Sequence, residues 1–143
     1  ISLIPTNVIH TGTLTETEIY NVYTVPANTF NRNTKQFTLK GWANLASTTG
    51  TITVRVKYGS TVMAQRIFPA TASDAMEFEI YMRADNNALQ TVRSRFSRTL
   101  QQDILGQSKV ADATVDADIT VTAELADVGD SVTFYGCHLH RIT

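Results

Sequence analysis

The sequence has a single cysteine, Cys137, among its 143 residues. An internal disulfide framework and a four-cysteine zinc module are therefore both excluded. No apolar run reaches membrane-spanning length, and the apolar start at residues 1–5 is too short and too uncharged to be a signal peptide. The chain also lacks an excess of either charge, because 12 basic and 13 acidic residues give a formal net charge of −1. This balance argues against nucleic acid as a partner.

Motifs for catalysis are also scarce. The sequence contains no Gly-x-Ser-x-Gly nucleophile motif, and its three histidines leave few ways to assemble a triad. Glu77 and Glu79 share one face of a predicted strand at about 7 Å, a spacing that two-carboxylate glycosidases can use. Ion pairs with Arg93 and Arg95 of a neighbouring strand explain these glutamates more simply. We therefore predict that the protein is not an enzyme.

What the sequence does contain is apolar alternation with a period of two. Residues 51–58 alternate throughout, with Ile52, Val54, Val56 and Tyr58 on one side, as in a half-buried strand. Turn residues such as Gly59 and Ser60 separate such runs and predict tight hairpins. The predicted strands are 18–25, 36–46, 51–58, 61–68, 75–83, 89–98, 117–125 and 131–142. This pattern predicts an all-β protein, an antiparallel, jelly-roll-like β-sandwich of about eight strands.

The length fits one domain, which we place at residues 18–143, with 1–17 as an N-terminal connecting segment. One part of the domain is ambiguous. Residues 99–106 place apolar side chains at helical spacing before Gly106, yet a continuing strand and loop explain them equally well. Within the strand at 36–46, Gly41 is expected to permit a bend or a bulge.

Exposed aromatic rings are the candidates for ligand binding, because a ring offers a flat apolar face to a sugar. The candidate stacking residues are Trp42, Tyr20, Tyr23 and Tyr81, with Tyr135 in addition. Aromatic residues of a β-sandwich also serve as core or interface residues, and the sequence does not distinguish these roles.

The last strand, residues 131–142, has apolar residues at both odd and even positions. A strand that is apolar on both faces packs against its own sheet on one side and a partner on the other. We therefore predict a subunit interface formed by Phe134, Tyr135, Cys137 and Leu139. For Cys137, burial as a small apolar residue is the alternative.

Two histidines of this strand are a candidate metal site. His138 and His140 are two residues apart, so a strand projects both from one face. Zinc normally takes three or four ligands. One chain therefore supplies too few, whereas three chains around a threefold axis would supply six histidines. The alternative is that both side chains are simply exposed or hydrogen-bonded. Apart from iron or zinc at such an axis, no cofactor is predicted.

Several segments resemble the C-terminal or head domains of bacteriophage tail fibres, tailspikes and related trimeric virion appendages. These segments are 37–43 (FTLKGWA), 50–59 (GTITVRVKYG), 114–125 (TVDADITVTAEL), 130–134 (DSVTF) and 137–143 (CHLHRIT). The His-x-His spacing is similar to the iron sites of some trimeric phage fibres.

The resemblance implies a homotrimer of jelly-roll-like sandwiches in the virion, acting outside the cell at the end of a fibre or spike. Such a domain either attaches to a host-surface glycan or protein receptor or locks the trimer, beside other virion proteins and without inserting into a membrane. The alternative function is a lectin-like module that recognises carbohydrate by aromatic stacking.

Overall fold

The structure, a computed structural model, describes residues 2–32, 34–47, 49–69, 71–98 and 101–142. It contains strands β1 (Ser2–Ile4), β2 (Val8–Thr11), β3 (Thr17–Val25), β4 (Gln36–Ser47), β5 (Ile52–Tyr58), β6 (Thr61–Phe68), β7 (Thr71–Ala84), β8 (Leu89–Arg98), β9 (Gln101–Val110), β10 (Ala117–Leu125) and β11 (Ser131–Ile142). All eight predicted strands are present, and the all-β prediction is confirmed. Among the described residues, no helix is long and apolar enough to cross a membrane.

The strands form two antiparallel sheets. The seven-stranded sheet has the order β1-β11-β4-β7-β8-β9, with β2 also paired to β11, and the four-stranded sheet has the order β3-β10-β5-β6. Pairing is nested: β2 with β11, β3 with β10, β4 with β7 and β5 with β6, and successive pairs alternate between the sheets. A long hairpin rolled up in this way is a jelly roll, as predicted. The β8–β9 hairpin extends the larger sheet beyond the roll.

The core fills the space between the two sheets and follows the alternation of the sequence. Ile52, Val54, Val56 and Tyr58 of β5 are all buried, as predicted for one face of that strand. The same holds for the inward positions of β7 and β10, namely Phe78, Ile80, Met82, Ile119, Val121, Ala123 and Leu125. The inner faces therefore form one continuous apolar layer, which is what joins two sheets into a sandwich.

Gly41 makes room for an aromatic ring instead of producing a bulge. It stays in register with Cys137 on one side and Phe78 on the other. A Cβ atom at this position would overlap the ring of Phe78. The predicted bend or bulge at Gly41 is therefore wrong, because the glycine is required by packing across the strands. The irregularity of β4 lies further along, between Leu45 and Ser47.

The described part of the ambiguous segment, residues 101–106, belongs to strand β9, so the helical alternative is wrong there. Residues 101–110 pair with β8 along the whole length of both strands. These hydrogen bonds between strands determine the local structure, although the apolar residues have helical spacing. Ile104 and Leu105 project to opposite faces, and their side chains are 67% and 51% exposed. Leu100, which took part in the helical pattern, lies outside the described residues. β9 is therefore an edge strand that extends past the cover of the smaller sheet.

The segment before β3 contributes strands to the larger sheet. Residues 2–4 pair with 137–139 of β11, and residues 8–11 pair with 131–134 along the same edge. The expectation of a connecting segment at residues 1–17 did not include these strands. Both strands are short, and their apolar residues are adjacent instead of alternate (Leu3 and Ile4, Val8 and Ile9), so alternation did not reveal them.

His10 of β2 gives a testable pH dependence. Its side chain is buried, its Nε2 atom has no hydrogen-bond partner among the described residues, and burial lowers its pKa below the ordinary 6.5. The unfolded chain therefore binds the proton more readily than the folded chain. The contribution to stability is complete above pH 6.5 and is lost as the pH falls through the folded pKa.

We expect His10→Leu to flatten the loss of stability between pH 7 and 5. Chemical denaturation at several pH values measures this, and His140→Gln is the matched control for loss of one histidine. An unchanged pH slope in His10→Leu would show that other groups cause the acid sensitivity.

Candidate functional site

The outward side chains of β11, β4, β7 and β8 form a surface that we call the platform. Its rows follow the strand register. One row is His138, Lys40, Glu79 and Arg95, and the next is His140, Thr38, Tyr81 and Arg93. A third row contains Gly136, Trp42 and Glu77. The Cβ atoms of residues directly opposite each other on neighbouring strands lie about 5 Å apart, so the platform is a compact array of rings and charges.

Trp42 is the most prominent apolar group of the platform. It lies near the middle of β4, and its side chain is 44% exposed although β4 is an inner strand of the sheet. Glu77 lies opposite on β7, and Gly136 lies opposite on β11. Because glycine has no side chain, the indole is not covered from that strand. Tyr135, next to Gly136, is 48% exposed. Two rings are thus accessible to solvent at one end of the platform.

Ion pairs hold the charged side chains between the rings. Lys40 Nζ and Arg95 Nη2 each lie 3.3 Å from the same carboxylate oxygen of Glu79. Arg95 Nη2 also lies 3.7 Å from Glu77 Oε1. The predicted pairing of the two glutamates with an arginine of the neighbouring strand is confirmed for Arg95. These exposed pairs add little stability, but they fix the directions in which donors and acceptors point.

Tyr81 lies at the other end of the platform, beside a shallow depression. By standard strand spacing its Cα atom is about 14 Å from that of Trp42. The depression has a volume of about 530 Å³, and its lining includes Tyr81, Arg83, Arg93, Arg95 and Ile104. Tyr81 is half-buried, so part of its ring stays available for contact. This end of the platform combines an aromatic ring with arginine donors.

The two histidines also lie on the platform. His138 and His140 have ring centroids 6.4 Å apart and line a depression of about 230 Å³ together with Thr38 and Lys40. Among the described residues no group of three or more His, Cys, Asp or Glu side chains is arranged to hold a metal. The Lys40 ammonium would also repel a cation there. One chain therefore does not fit a metal, and a site shared around a threefold axis stays a prediction.

The last strand is not apolar on both faces, because a bulge reverses its alternation. The register of β11 against β4 shifts between Phe134 and Gly136, and Gly136 has a φ of 125°. Phe134 before the bulge and Cys137 and Leu139 after it consequently all point inward, and all three are buried. The predicted interface is therefore wrong for these three residues. Tyr135 alone faces outward and stays a candidate.

Cys137 follows the alternative interpretation, that of a buried apolar residue. Burial raises the pKa of its thiol to about 12. A thiol with this pKa stays protonated at neutral pH and is a poor nucleophile.

Two of the predicted stacking residues take part in the interior instead. Tyr20 is 4% exposed, its ring packs edge-on against Phe134, and its hydroxyl donates a hydrogen bond to the Thr6 carbonyl at 2.6 Å. Burial raises the pKa of this hydroxyl. Tyr23 is half-buried and packs against the core. The prediction of Tyr20 as a sugar-stacking residue is therefore wrong. Trp42 and Tyr81, by contrast, both lie on the platform.

A second depression, on the outer face of the smaller sheet, is less suited to a sugar. It has a volume of about 740 Å³, and polar residues such as Glu16, Lys57, Asp118 and Thr122 line it without an aromatic ring. Its donors and acceptors already bind each other: Thr122 donates to Glu16 at 2.7 Å, and Lys57 pairs with Glu16 at 3.3 Å. The hydrogen bond from Thr122 is the main reason that the pKa of Glu16 is lowered.

Sequence reasoning missed Lys40, Thr38 and Ile104 as parts of the site. Lys40 and Trp42 are alternate residues of one strand, which would have placed them on one face. The neighbours of Trp42 on β7 and β11 come from strand order, which alternation does not reveal.

Comparisons with known proteins give a structural match of low similarity. No family model matches the sequence, and no curated protein matches it. Among solved structures, the chain is similar to the CBM2 module of the evolved Dit of Lactobacillus casei BL23 phage J-1, with a TM-score of 0.40 and 14% identity. The match covers 81% of this chain and 66% of that chain, slightly less than two thirds of its length. A similarity of this level does not establish a shared family.

Proposed function

We propose that the domain is a non-catalytic glycan-binding module and that the platform is its binding surface. The observation that carries the proposal is the exposure of Trp42 on an inner strand, between charged side chains fixed by ion pairs. Sugar rings have apolar faces and polar edges. A flat ring flanked by fixed donors and acceptors satisfies both.

The platform offers these groups without an arrangement for hydrolysis. A two-carboxylate glycosidase places its carboxylates on either side of the bond that is cut. Glu77 and Glu79 project side by side from one strand and are both bound to Arg95. A ligand lying on the platform would meet both from the same side. The carboxylates therefore serve as hydrogen-bond acceptors and as partners for the neighbouring cations.

The resemblance to phage appendage domains gives the proposal its biological setting. We place the module in a virion, at the end of a trimeric tail fibre or tailspike, where glycan binding would attach the particle to a host surface. The homotrimer stays a prediction. Since the last strand buries most of its apolar residues, a partner subunit would have to cover other exposed apolar side chains. Examples are Leu3 and Ile9 at one edge of the larger sheet and Ile104 and Val110 at the other.

We predict that Trp42→Ala weakens glycan binding about 30-fold, or about 2 kcal/mol, as expected for a tryptophan at the centre of a binding surface. Trp42 is the only tryptophan of the chain. Its fluorescence therefore reports directly on the platform when wild-type protein is titrated with a panel of bacterial surface polysaccharides. An array of the same polysaccharides then measures the loss of binding in the variant.

The control for this prediction is Ile67→Ala. Ile67 is an exposed apolar residue on β6 of the smaller sheet, so its removal leaves the platform intact. Trp42→Phe keeps a ring and should retain part of the affinity. Thermal unfolding confirms that each variant is folded, and light scattering on the same samples counts the chains per particle. A folded Trp42→Ala protein that binds like wild type would exclude the platform as the glycan site.

A further inference from the structure

We infer that the platform recognises an acidic glycan and that Arg93 binds the anionic group. This inference rests on the proposed function, because it names the class of sugar that the same surface takes. It concerns the end of the platform around Tyr81.

Arg93 differs in its ion pairing from Arg83 and Arg95, the other arginines at this end of the platform. Arg83 pairs with Asp85 at 3.1 Å, and Arg95 pairs with Glu79 at 3.3 Å. Among the described residues, no carboxylate lies within ion-pair distance of Arg93, whose side chain is exposed. An arginine presents a planar set of donors that fits a carboxylate or a phosphate with two parallel hydrogen bonds. Arg93 therefore carries a positive charge that no carboxylate of the described residues compensates.

The neighbours of Arg93 surround this charge with groups that could contact a sugar ring. Tyr81 lies directly opposite on β7, and both line the depression of about 530 Å³. Because the Cβ atoms of directly opposite residues lie about 5 Å apart, a sugar ring lying against Tyr81 would bring a substituent on its edge within reach of the Arg93 side chain. On the other side, β9 places Gly106 opposite Arg93, where an added Cβ would have no atom within 4 Å. The approach to Arg93 is thus open from β9.

The composition of the lining favours an anion. Three arginines, Arg83, Arg93 and Arg95, line the depression, against the single carboxylate of Glu79. Asp85 neutralises Arg83 from outside the lining. The positive potential is therefore concentrated at Arg93, and Ile104 contributes an apolar wall. A uronic acid and a sugar phosphate both carry the required group, so the shared feature is one anionic substituent on a sugar ring.

The experiment compares each polysaccharide of the panel in three forms: native, carboxyl-reduced and dephosphorylated. Carboxyl reduction turns a uronic acid into the neutral sugar, and dephosphorylation removes phosphate substituents, so the two treatments distinguish the two sources of the anion. We expect removal of the anionic group to weaken binding about tenfold, the range for a charge-assisted hydrogen bond. Salt should weaken binding of the native form and leave that of the neutral form unchanged.

Variants then assign the effect to Arg93. Arg93→Gln should weaken binding of the acidic form about tenfold and leave the neutral form within twofold. Gly106→Glu should do the same from the neighbouring strand, because its carboxylate would lie opposite Arg93 and pair with it. Gly106→Gln, which has the same shape without the charge, is the matched control and should bind the acidic form like wild type.

The outcomes separate the acidic specificity and the role of Arg93 from the proposed glycan binding. Loss of binding on removal of the anion, reproduced by Arg93→Gln and Gly106→Glu, supports the inference. Equal binding of the native and neutral forms, with Trp42 fluorescence still responding, overturns the acidic specificity and leaves glycan binding intact. An anion preference that persists in Arg93→Gln overturns the role of Arg93. No response of Trp42 to any polysaccharide overturns the proposed function and this inference together.

Discussion

Replacing Asp130 by alanine is expected to lower the free energy of unfolding by about 4 kcal/mol. Asp130 is fully buried at the end of the loop between β10 and β11. Its carboxylate accepts hydrogen bonds from the Gly50 backbone N–H at 2.8 Å and from the Ser47 hydroxyl at 3.2 Å. The Thr49 hydroxyl donates a third, at 3.4 Å.

These hydrogen bonds join two connections that cross between the sheets. Thr49 and Gly50 lie between β4 of the larger sheet and β5 of the smaller one, and residues 126–130 lead back from β10 to β11. Alanine would remove the charged acceptor of the half-buried Gly50 N–H, whose hydrogen bond to Asp130 is the shortest of the three, and would leave a cavity at a fully buried position. The loss is therefore larger than for an exposed carboxylate, and it should loosen this end of the sandwich.

Urea denaturation of Asp130→Ala measures the change. Asp127→Ala is the control in the same loop, because Asp127 accepts one exposed hydrogen bond from the Gly129 N–H at 2.8 Å. We expect it to lose less than about 1 kcal/mol. Asp130→Asn keeps one acceptor oxygen and should recover part of the stability. If Asp130→Ala and Asp127→Ala were equally stable, the buried carboxylate would not hold the two connections together.

Gly136→Ala is expected to destabilise the protein by about 3 kcal/mol, the range for a residue held in a strained φ together with a steric overlap. With a φ of 125°, Gly136 has a backbone conformation that residues with a side chain rarely adopt. An added Cβ would also lie 2.5 Å from the carbonyl oxygen of Ile4, in the neighbouring strand β1. A backbone atom held in a sheet moves little, so the clash and the strained φ add together.

The substitution should also affect the platform, because the bulge decides which side chains face outward. Tyr135 lies in the bulge, and Gly136 leaves the indole of Trp42 uncovered. We expect Gly136→Ala to unpair β1, which faster hydrogen exchange at residues 2–4 would detect, and to change the fluorescence of Trp42. Gly106→Ala is the control, since nothing lies within 4 Å of a Cβ there. A Gly136→Ala protein within about 0.5 kcal/mol of wild type would contradict this account of the bulge.

The sequence predicted the position of β11 but not which of its side chains point inward. Alternation identified the strand and its two ends, but the apolar residues at odd and even positions predicted two apolar faces. A single bulge at Gly136 explains the same sequence with one buried face. A register shift depends on how the partner strand and β1 fit against the glycine, so residues distant in the chain determine it.

The candidate site was predictable only in part, for the same reason. Trp42 and Tyr81 were singled out as rings able to stack on a sugar, and both lie on the platform. Tyr20 was singled out on the same ground, yet its hydroxyl binds the Thr6 carbonyl inside the sandwich. Residue type alone does not distinguish an exposed ring from a buried one, because tyrosine is common in both places.

The sequence by itself determined eight of the eleven strands in the described residues, the inward residues of β5 and the hairpin at Gly59, because period-two alternation and turn chemistry depend only on residues close together in the chain. The tertiary structure decided which strands became neighbours. It placed Arg93 opposite both Tyr81 and Gly106, set Gly136 opposite Trp42, and brought Asp130 to Gly50 across 80 residues of chain. Packing and pairing between distant segments set these contacts, and on them depend both the platform and the stability of the fold.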